Sequence, residues 1–222
     1  MIQLTNIKKS FEVNKQEKVE ALKGITLHIK EGELVVLKGS SGSGKSSILS
    51  LIAGLSKPTS GDVIVDGKKI SKLPDDFAAL YRRKSVGMVF QKHNLISTLS
   101  VKENILLPLI PMNLDEMEVE QKIQNVMKMF HIEHKKNIVV KNLSGGEQQR
   151  VAIARANVTM PKIILADEPT ASLDKKLSQD FIKILQEMKK QGKTIVIATH
   201  DPLFFGLDIV DKELEIAHGE II

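Results

Sequence analysis

The 222-residue sequence predicts an α/β fold built on a mainly parallel sheet. Three observations carry that expectation. Continuous apolar runs at Glu33–Leu37, Val86–Phe90, Ile163–Ala166 and Thr194–Ala198 have the composition of strands buried on both faces. Between the last two runs, Leu177, Phe181, Ile184, Leu185 and Met188 share one helix face, which Lys189, Lys190 and Gly192 close. A glycine- and serine-rich loop joins the first run to a helix expected from about Lys45 to Ala53. Strand–helix–strand alternation is the pattern of a parallel sheet.

The other elements follow in order. Short β runs open the chain at Ile2–Ile7 and Gly24–Ile29. Pro58-Thr59-Ser60-Gly61 is turn chemistry, and Asp62–Val65 followed by Asp66-Gly67 reads as a strand entering a hairpin. From Gln91 to Asn142 the texture changes. Methionine becomes frequent, and Val119, Ile123, Val126, Met127 and Phe130 fall on one helix face. That stretch reads as a helical insert between two β-rich halves. His131 and His134 lie at i, i+3, but no third ligand accompanies them, so they read as a solvated helix end.

Composition bounds the function. Hydrophobic residues make up 42% and charged residues 27%, ordinary for a soluble globular domain. The net charge of +5 comes from lysines scattered over predicted helix surfaces, so direct nucleic-acid binding is not expected. Without cysteine there are neither disulfides nor thiolate metal sites. The N-terminus alternates like a strand and lacks the apolar core of a signal peptide. Prolines break the longest apolar stretch, Ile105–Met112, which is far short of the ~20 residues that span a bilayer. The chain is not expected to cross a membrane by itself.

Two motifs carry chemistry. Gly39-Ser40-Ser41-Gly42-Ser43-Gly44-Lys45-Ser46 matches the GxxxxGK[ST] P-loop, with Ser47 next in line, and it sits between a predicted strand and a predicted helix. Glycines let successive N–H groups turn inward at phosphate oxygens, and the helix N-terminus adds positive potential. Lys45 can reach the β and γ phosphates, and the Ser46 hydroxyl can ligate Mg²⁺. The loop alone does not distinguish kinase, GTPase and ATPase. The second motif is the apolar run Ile163–Ala166 ending in Asp167-Glu168. A buried strand delivers its last residues to the sheet edge where the P-loop lies. Asp167 would hold Mg²⁺ and Glu168 would polarise the attacking water.

Further residues name a family. Leu143-Ser144-Gly145-Gly146-Glu147-Gln148-Gln149-Arg150 resembles the signature of the ATP-binding cassette (ABC) ATPases. Gln91 resembles the family's Q-loop glutamine, Ser172-Leu173-Asp174 its D-loop, and His200 its switch histidine. Phe11 stands where the family has an aromatic that stacks on adenine. The resemblance covers the whole chain. It implies one ABC ATPase domain over 1–222, with a P-loop NTPase core and an N-terminal antiparallel β-subdomain in 1–91 and about 143–222. A helical subdomain is inserted over about 92–142, with the signature, 143–150, at its edge. The helix after the signature is expected to begin near Glu147.

The resemblance also implies a mechanism. Two chains would pack head to tail around two ATP molecules. Ser144, Gly145, Gly146 and Asp174 would then meet the nucleotide held by the other copy's P-loop. His200 would stabilise the γ-phosphate, and Gln91 would sense Mg²⁺ and link it to movement of the helical insert. Asn94-Leu95, Glu103-Asn104 and Leu107-Pro108-Leu109 resemble the branch containing lipoprotein-releasing, macrolide-export, FtsE-type and peptide-antibiotic-resistance ATPases. Arg155-Ala156 fits that branch, whereas Asn157-Val158-Thr159 departs from the small and apolar residues often found there. In such systems the ATPase sits on the cytoplasmic face of the membrane, bound to an integral-membrane permease. A soluble ABC ATPase acting on nucleic acid or ribosomes, and an importer ATPase for small polar substrates, are the alternative readings. Nothing in the chain encodes the cargo.

Overall fold

The computed structural model describes residues 1–12, 18–171 and 173–222. Chain order runs β1 (Ile2–Glu12), β2 (Lys18–Ile29), β3 (Leu34–Lys38), α1 (Lys45–Ile52), β4 (Ser60–Val65), β5 (Lys68–Lys69), α2 (Asp75–Ser85) and β6 (Val86–Val89). It continues through α3 (Val101–Leu106), α4 (Glu116–Met129), α5 (Gly145–Asn157), β7 (Ile163–Asp167), α6 (Lys175–Lys190), β8 (Thr194–Thr199), β9 (Lys212–Ala217) and β10 (Glu220–Ile221). A 3-10 segment, Leu107–Met112, links α3 towards α4.

Two sheets form. One is antiparallel, in the order β2-β1-β4-β5. The other runs β10-β9-β3-β8-β7-β6, parallel from β9 to β6 with β10 antiparallel at the edge. The expected α/β class with a mainly parallel sheet is therefore present. Its continuous apolar runs have a direct cause. Along β3, Leu34 and Val36 face one hydrophobic cluster while Val35 and Leu37 face another. β7 and β8 divide in the same way, so both faces of the sheet are buried and no polar alternation survives. One cluster joins the sheet to α3, α4, α5 and α6, and the other joins it to α1 and the antiparallel sheet.

Helix starts follow local chemistry. Ser100 and Ser144 each close a capping box, with Glu103 and Glu147, at the heads of α3 and α5. Asp115 and Asp174 accept backbone N–H bonds at the heads of α4 and α6. α5 thus begins at Gly145, two residues ahead of the expected start, because the Ser144 side chain takes the N-cap position. The buried amide of Asn157 donates to the Ile153 carbonyl at 3.0 Å, which satisfies a polar residue where a small apolar one is usual. β1 and β2 are longer than the apolar pattern foretold, reaching Glu12 and beginning at Lys18, with irregular register along their ladder.

Three elements had no expectation attached. α2 buries only Ala78 of its eleven residues, so it carries no apolar stripe. It is held by Tyr81 and Arg82 donating to the carbonyls of Ile52 and Gly54, each at 2.8 Å. β9 is a charged strand between β3 and the two-residue edge strand β10, and it pairs with β3 through Lys212, Glu213, Leu214 and Glu215.

β6 depends on one close approach. A Cβ on Gly87 would strike the backbone oxygen of Ala156 in α5, with Ile164 and Pro161 also at 2.9 Å. Backbone cannot give way there as a flexible side chain can. Gly87→Ala is expected to destabilise by about 3 kcal/mol, lowering Tm by roughly 10 °C in a thermal melt.

Candidate active site

The carboxyl edge of the parallel sheet gathers the motifs. β3 runs into the P-loop, β6 leads through Phe90 to Gln91, β7 ends on Asp167, and β8 ends on Thr199 before His200. A cavity of about 190 Å³ is lined by Ser41 to Ser47, Gln91, Asp167, Glu168, His200 and Ala21. Gly39 and Ser40 border an adjoining hollow with His200. Among the larger spaces elsewhere are an apolar one against Phe130 and Phe181 and a groove beside Met117 and Glu120. Neither is lined by a P-loop residue, so chemistry rather than volume picks out the site.

The loop is built to meet an anion. Gly42 and Gly44 take φ of 79° and 111°, and Gly44 is the left-handed N-cap of α1, whose first turn holds no acidic residue. The Lys45 ammonium, 5% exposed, donates to the carbonyls of Gly39 at 2.6 Å and Ser40 at 2.9 Å. The Ser43 hydroxyl is buried without a protein partner. An inward hydroxyl with nothing to bond, beside a held ammonium and open N–H groups, fits phosphate oxygens. The C-terminal hairpin braces the loop: Gly219 N–H donates to the Ser43 carbonyl at 3.0 Å.

The carboxylates differ. Burial pushes the Asp167 carboxyl up from its ordinary range and Glu168 adds to the rise, while a hydrogen bond from Ser46 and the charge of Lys45 act against it. Ser46, Asp167 and Gln91 together supply only oxygen donors with a single carboxylate, which suits Mg²⁺ shared with phosphate oxygens. Among the described residues no three carboxylate, histidine or cysteine side chains gather to hold a metal unaided.

Glu168 is buried and its φ is +47°, a left-handed conformation rare for such a residue. Its N–H donates to the Ala198 carbonyl at 2.8 Å. The Thr199 hydroxyl donates to Oε2 at 2.8 Å, and His200 Nδ1 lies 2.7 Å from Oε1. Thr170 donates to Asp201 at 2.7 Å, and the Asp201 N–H donates to the Thr199 hydroxyl at 3.0 Å. The carboxylate is thus aimed by a chain of bonds between the ends of β7 and β8.

Other expected residues stand apart. Ser144 and Gly145 are exposed at the head of α5 and do not line the cavity. Gly146 follows in the same first turn, where the Glu147 carboxylate accepts from the Ser144 N–H at 2.9 Å. The Asp174 carboxylate caps α6 by accepting from Leu177 N–H at 2.8 Å. Ser172 lies outside the described residues. Phe11 sits on β1 opposite Val19, half exposed, with the Lys9 ammonium 4.9 Å above its ring, and it does not line the cavity either. Sequence reasoning missed Thr199 and the buried Gln149, which donates to the Pro169 carbonyl at 2.7 Å. It also gave Arg155 no role, although its guanidinium donates to the carbonyls of His93 and Asn94, both at 2.6 Å. Only Thr199 left a signal, a hydroxyl closing the apolar run Ile195–Ala198.

A family model described as ABC transporter matches residues 22–171. The chain belongs to the ABC transporter family. It is 44% identical over 210 residues to the uncharacterized ABC transporter ATP-binding protein MJ0796 of Methanocaldococcus jannaschii, covering 90% of this chain and 87% of that protein. It is 40% identical over 222 residues to the macrolide export ATP-binding/permease protein MacB of Campylobacter jejuni, covering all of this chain but 34% of MacB. A solved dimeric structure of the MJ0796 cassette in a post-hydrolysis state, bound to ADP and Pi, superposes with a TM-score of 0.93 at 40% identity, over 100% of this chain and 96% of that one. The chain is an ABC ATPase with the fold of that cassette, in the branch that includes MJ0796 and MacB.

The signature cap yields a pH prediction. A bond from Lys135, then the Ser144 N–H, holds the Glu147 carboxyl down at about 2. A carboxyl lowered on folding stabilises above its unfolded value, here near 4.5, and that gain disappears as pH falls towards 2. Glu147→Gln is expected to lower Tm by about 2 °C at neutral pH, with the gap from wild type closing between about pH 4.5 and 2.

Proposed function

We propose that the chain is the ATP-hydrolysing subunit of a membrane complex, working as a head-to-tail dimer whose two active sites are each shared between copies. One observation carries this reading. Ser144 and Gly145 lie exposed at the head of a capped helix, outside the cavity that the P-loop, Asp167, Glu168 and His200 line. Two orphan N–H groups and a positive helix end there suit an anion that the same chain does not present. A second copy, turned head to tail, would present its P-loop-bound γ-phosphate. The dimeric ADP- and Pi-bound MJ0796 cassette supports this arrangement.

Each side chain then has a role. The loop N–H groups, the Ser43 hydroxyl and Lys45 bind the phosphates. Ser46, Asp167 and Gln91 would hold Mg²⁺, which would supply positive charge against the charge developing on the phosphate. Glu168, aimed by Thr199 and His200, takes the proton of the attacking water. His200, exposed on its outer side, reaches the γ-phosphate. Phe11 stacks on adenine and Asp174 meets the nucleotide of the other copy.

A membrane partner is supported by what the chain resembles. Among the described residues no helix is long and apolar enough to cross a membrane. MacB carries ATP-binding and permease functions under one name, and this chain matches about a third of it. An integral-membrane permease is the partner this likeness supports, with the ATPase on its cytoplasmic face.

Light scattering of Glu168→Gln with ATP and Mg²⁺ is expected to report a dimer, because nucleotide then bridges the copies without being consumed. A monomer at high protein concentration overturns the shared-site arrangement. Lys45→Ala is expected to weaken ATP affinity about 10- to 100-fold, whereas Glu168→Gln retains it. Equal losses by calorimetry would reverse the assigned roles.

A further inference from the structure

We infer that Gln149 is a positioning residue through which each signature helix sets the general base of its own chain, coupling the two active sites of a dimer. The inference rests on the shared-site reading given above. Its physical basis lies within one chain.

Glu168 is buried and left-handed at φ +47°. A non-glycine residue stays in that conformation only where its surroundings over-determine it. From the sheet side the determinants are its own N–H on Ala198 and the Thr199 hydroxyl on its carboxylate. From the opposite side comes Gln149. Its side chain is 2% exposed, and its amide donates to the carbonyl of Pro169, directly after Glu168, at 2.7 Å. Gln149 lies in the second turn of α5, whose first turn presents Ser144 and Gly145. A helix moves as a rigid body over so short a distance. Displacing its head by contact with nucleotide therefore displaces the Gln149 amide and pulls on the turn that sets the Glu168 backbone.

Head-to-tail geometry turns this local bond into communication between sites. The signature of one chain meets the nucleotide on the partner's P-loop, while the Glu168 it adjusts belongs to the other site. ATP in one site therefore readies the base of its neighbour. A buried glutamine that served packing alone would have no such direction.

Mixed dimers of full-length chains test this. Two tags allow dimers of defined composition to be purified, and single-turnover ATP hydrolysis reads the one site that keeps a general base. In the first dimer, a Gln149→Met chain is paired with a Glu168→Gln chain, so the remaining base lies on the Gln149→Met chain. In the second, Gln149→Met and Glu168→Gln share one chain, and the remaining base lies on an unmodified partner. Relative to wild type paired with Glu168→Gln, hydrolysis is expected to slow about tenfold in the first and to stay within about twofold in the second. The concentration of ATP giving half-maximal rate should stay the same in both. Equal slowing in the two dimers, or slowing in neither, overturns the role of Gln149. Gln149→Leu replaces Gln149→Met if melting shows the latter unfolded. A Glu168→Gln protein that stays monomeric with ATP overturns the shared-site reading and this inference together, whereas a dimer without the asymmetry overturns this inference alone.

Discussion

A parallel sheet buried on both faces is the constraint on which everything else in this molecule rests. Because its strands lie in one direction, the P-loop, Gln91, Asp167 and His200 all emerge at one edge. Because both faces are covered by apolar clusters, that edge is rigid. Phosphate chemistry needs positioned donors more than reactive side chains, and a stiff edge supplies the positions. The antiparallel sheet and α1 cover one face, and four helices cover the other. Each cover also brings a working part: α1 gives its N-terminus to the phosphate cradle, and α5 gives its first turn to the signature.

Order at the site comes at a local cost. Glu168 sits in a strained backbone conformation, and Asp167 is partly buried with its carboxyl pushed towards protonation. The Glu168 backbone costs stability of order 1 kcal/mol or more, which the surrounding ladder must offset. The register that pairs Asp167 with Ala198 does so, since it also places Thr199 and His200 against the Glu168 carboxylate. The strain is thus confined to one turn, flanked by the strands best able to hold it.

What the sequence made legible was whatever is encoded in contiguous residues. A loop between a strand and a helix and two carboxylates at a strand end each carry their geometry within about eight positions. The double-sided burial of β3, β7 and β8 was equally visible as unbroken apolar runs. Partnerships across 20 or 31 positions were not, as with Gln149 to Pro169 and Thr199 to Glu168. They depend on helix placement and strand register, which no short window states. α2 and β9 escaped for another reason. Periodicity reports burial, and one helix buries a single alanine while the other element is a charged strand that buries little. Phe11 lies half exposed outside the phosphate cavity, and its proposed base-stacking role rests on the family resemblance.

The hydrophobic cluster beneath the helices has a consequence for motion. It runs without a break from Ile123 and Met127 on α4, through Val151 and Ala154 on α5, to Val89, Ile164 and Ile197 in the sheet. Swinging the helical part away as a separate lid would expose those side chains to water at ~25 cal/mol for every Å² uncovered. Small sliding of packed surfaces past one another avoids that penalty, since apolar contacts are exchanged and not lost. The helical part is therefore geared to the sheet by its own core, and displacements at the outer surface reach the nucleotide edge as short shears of about an ångström or two.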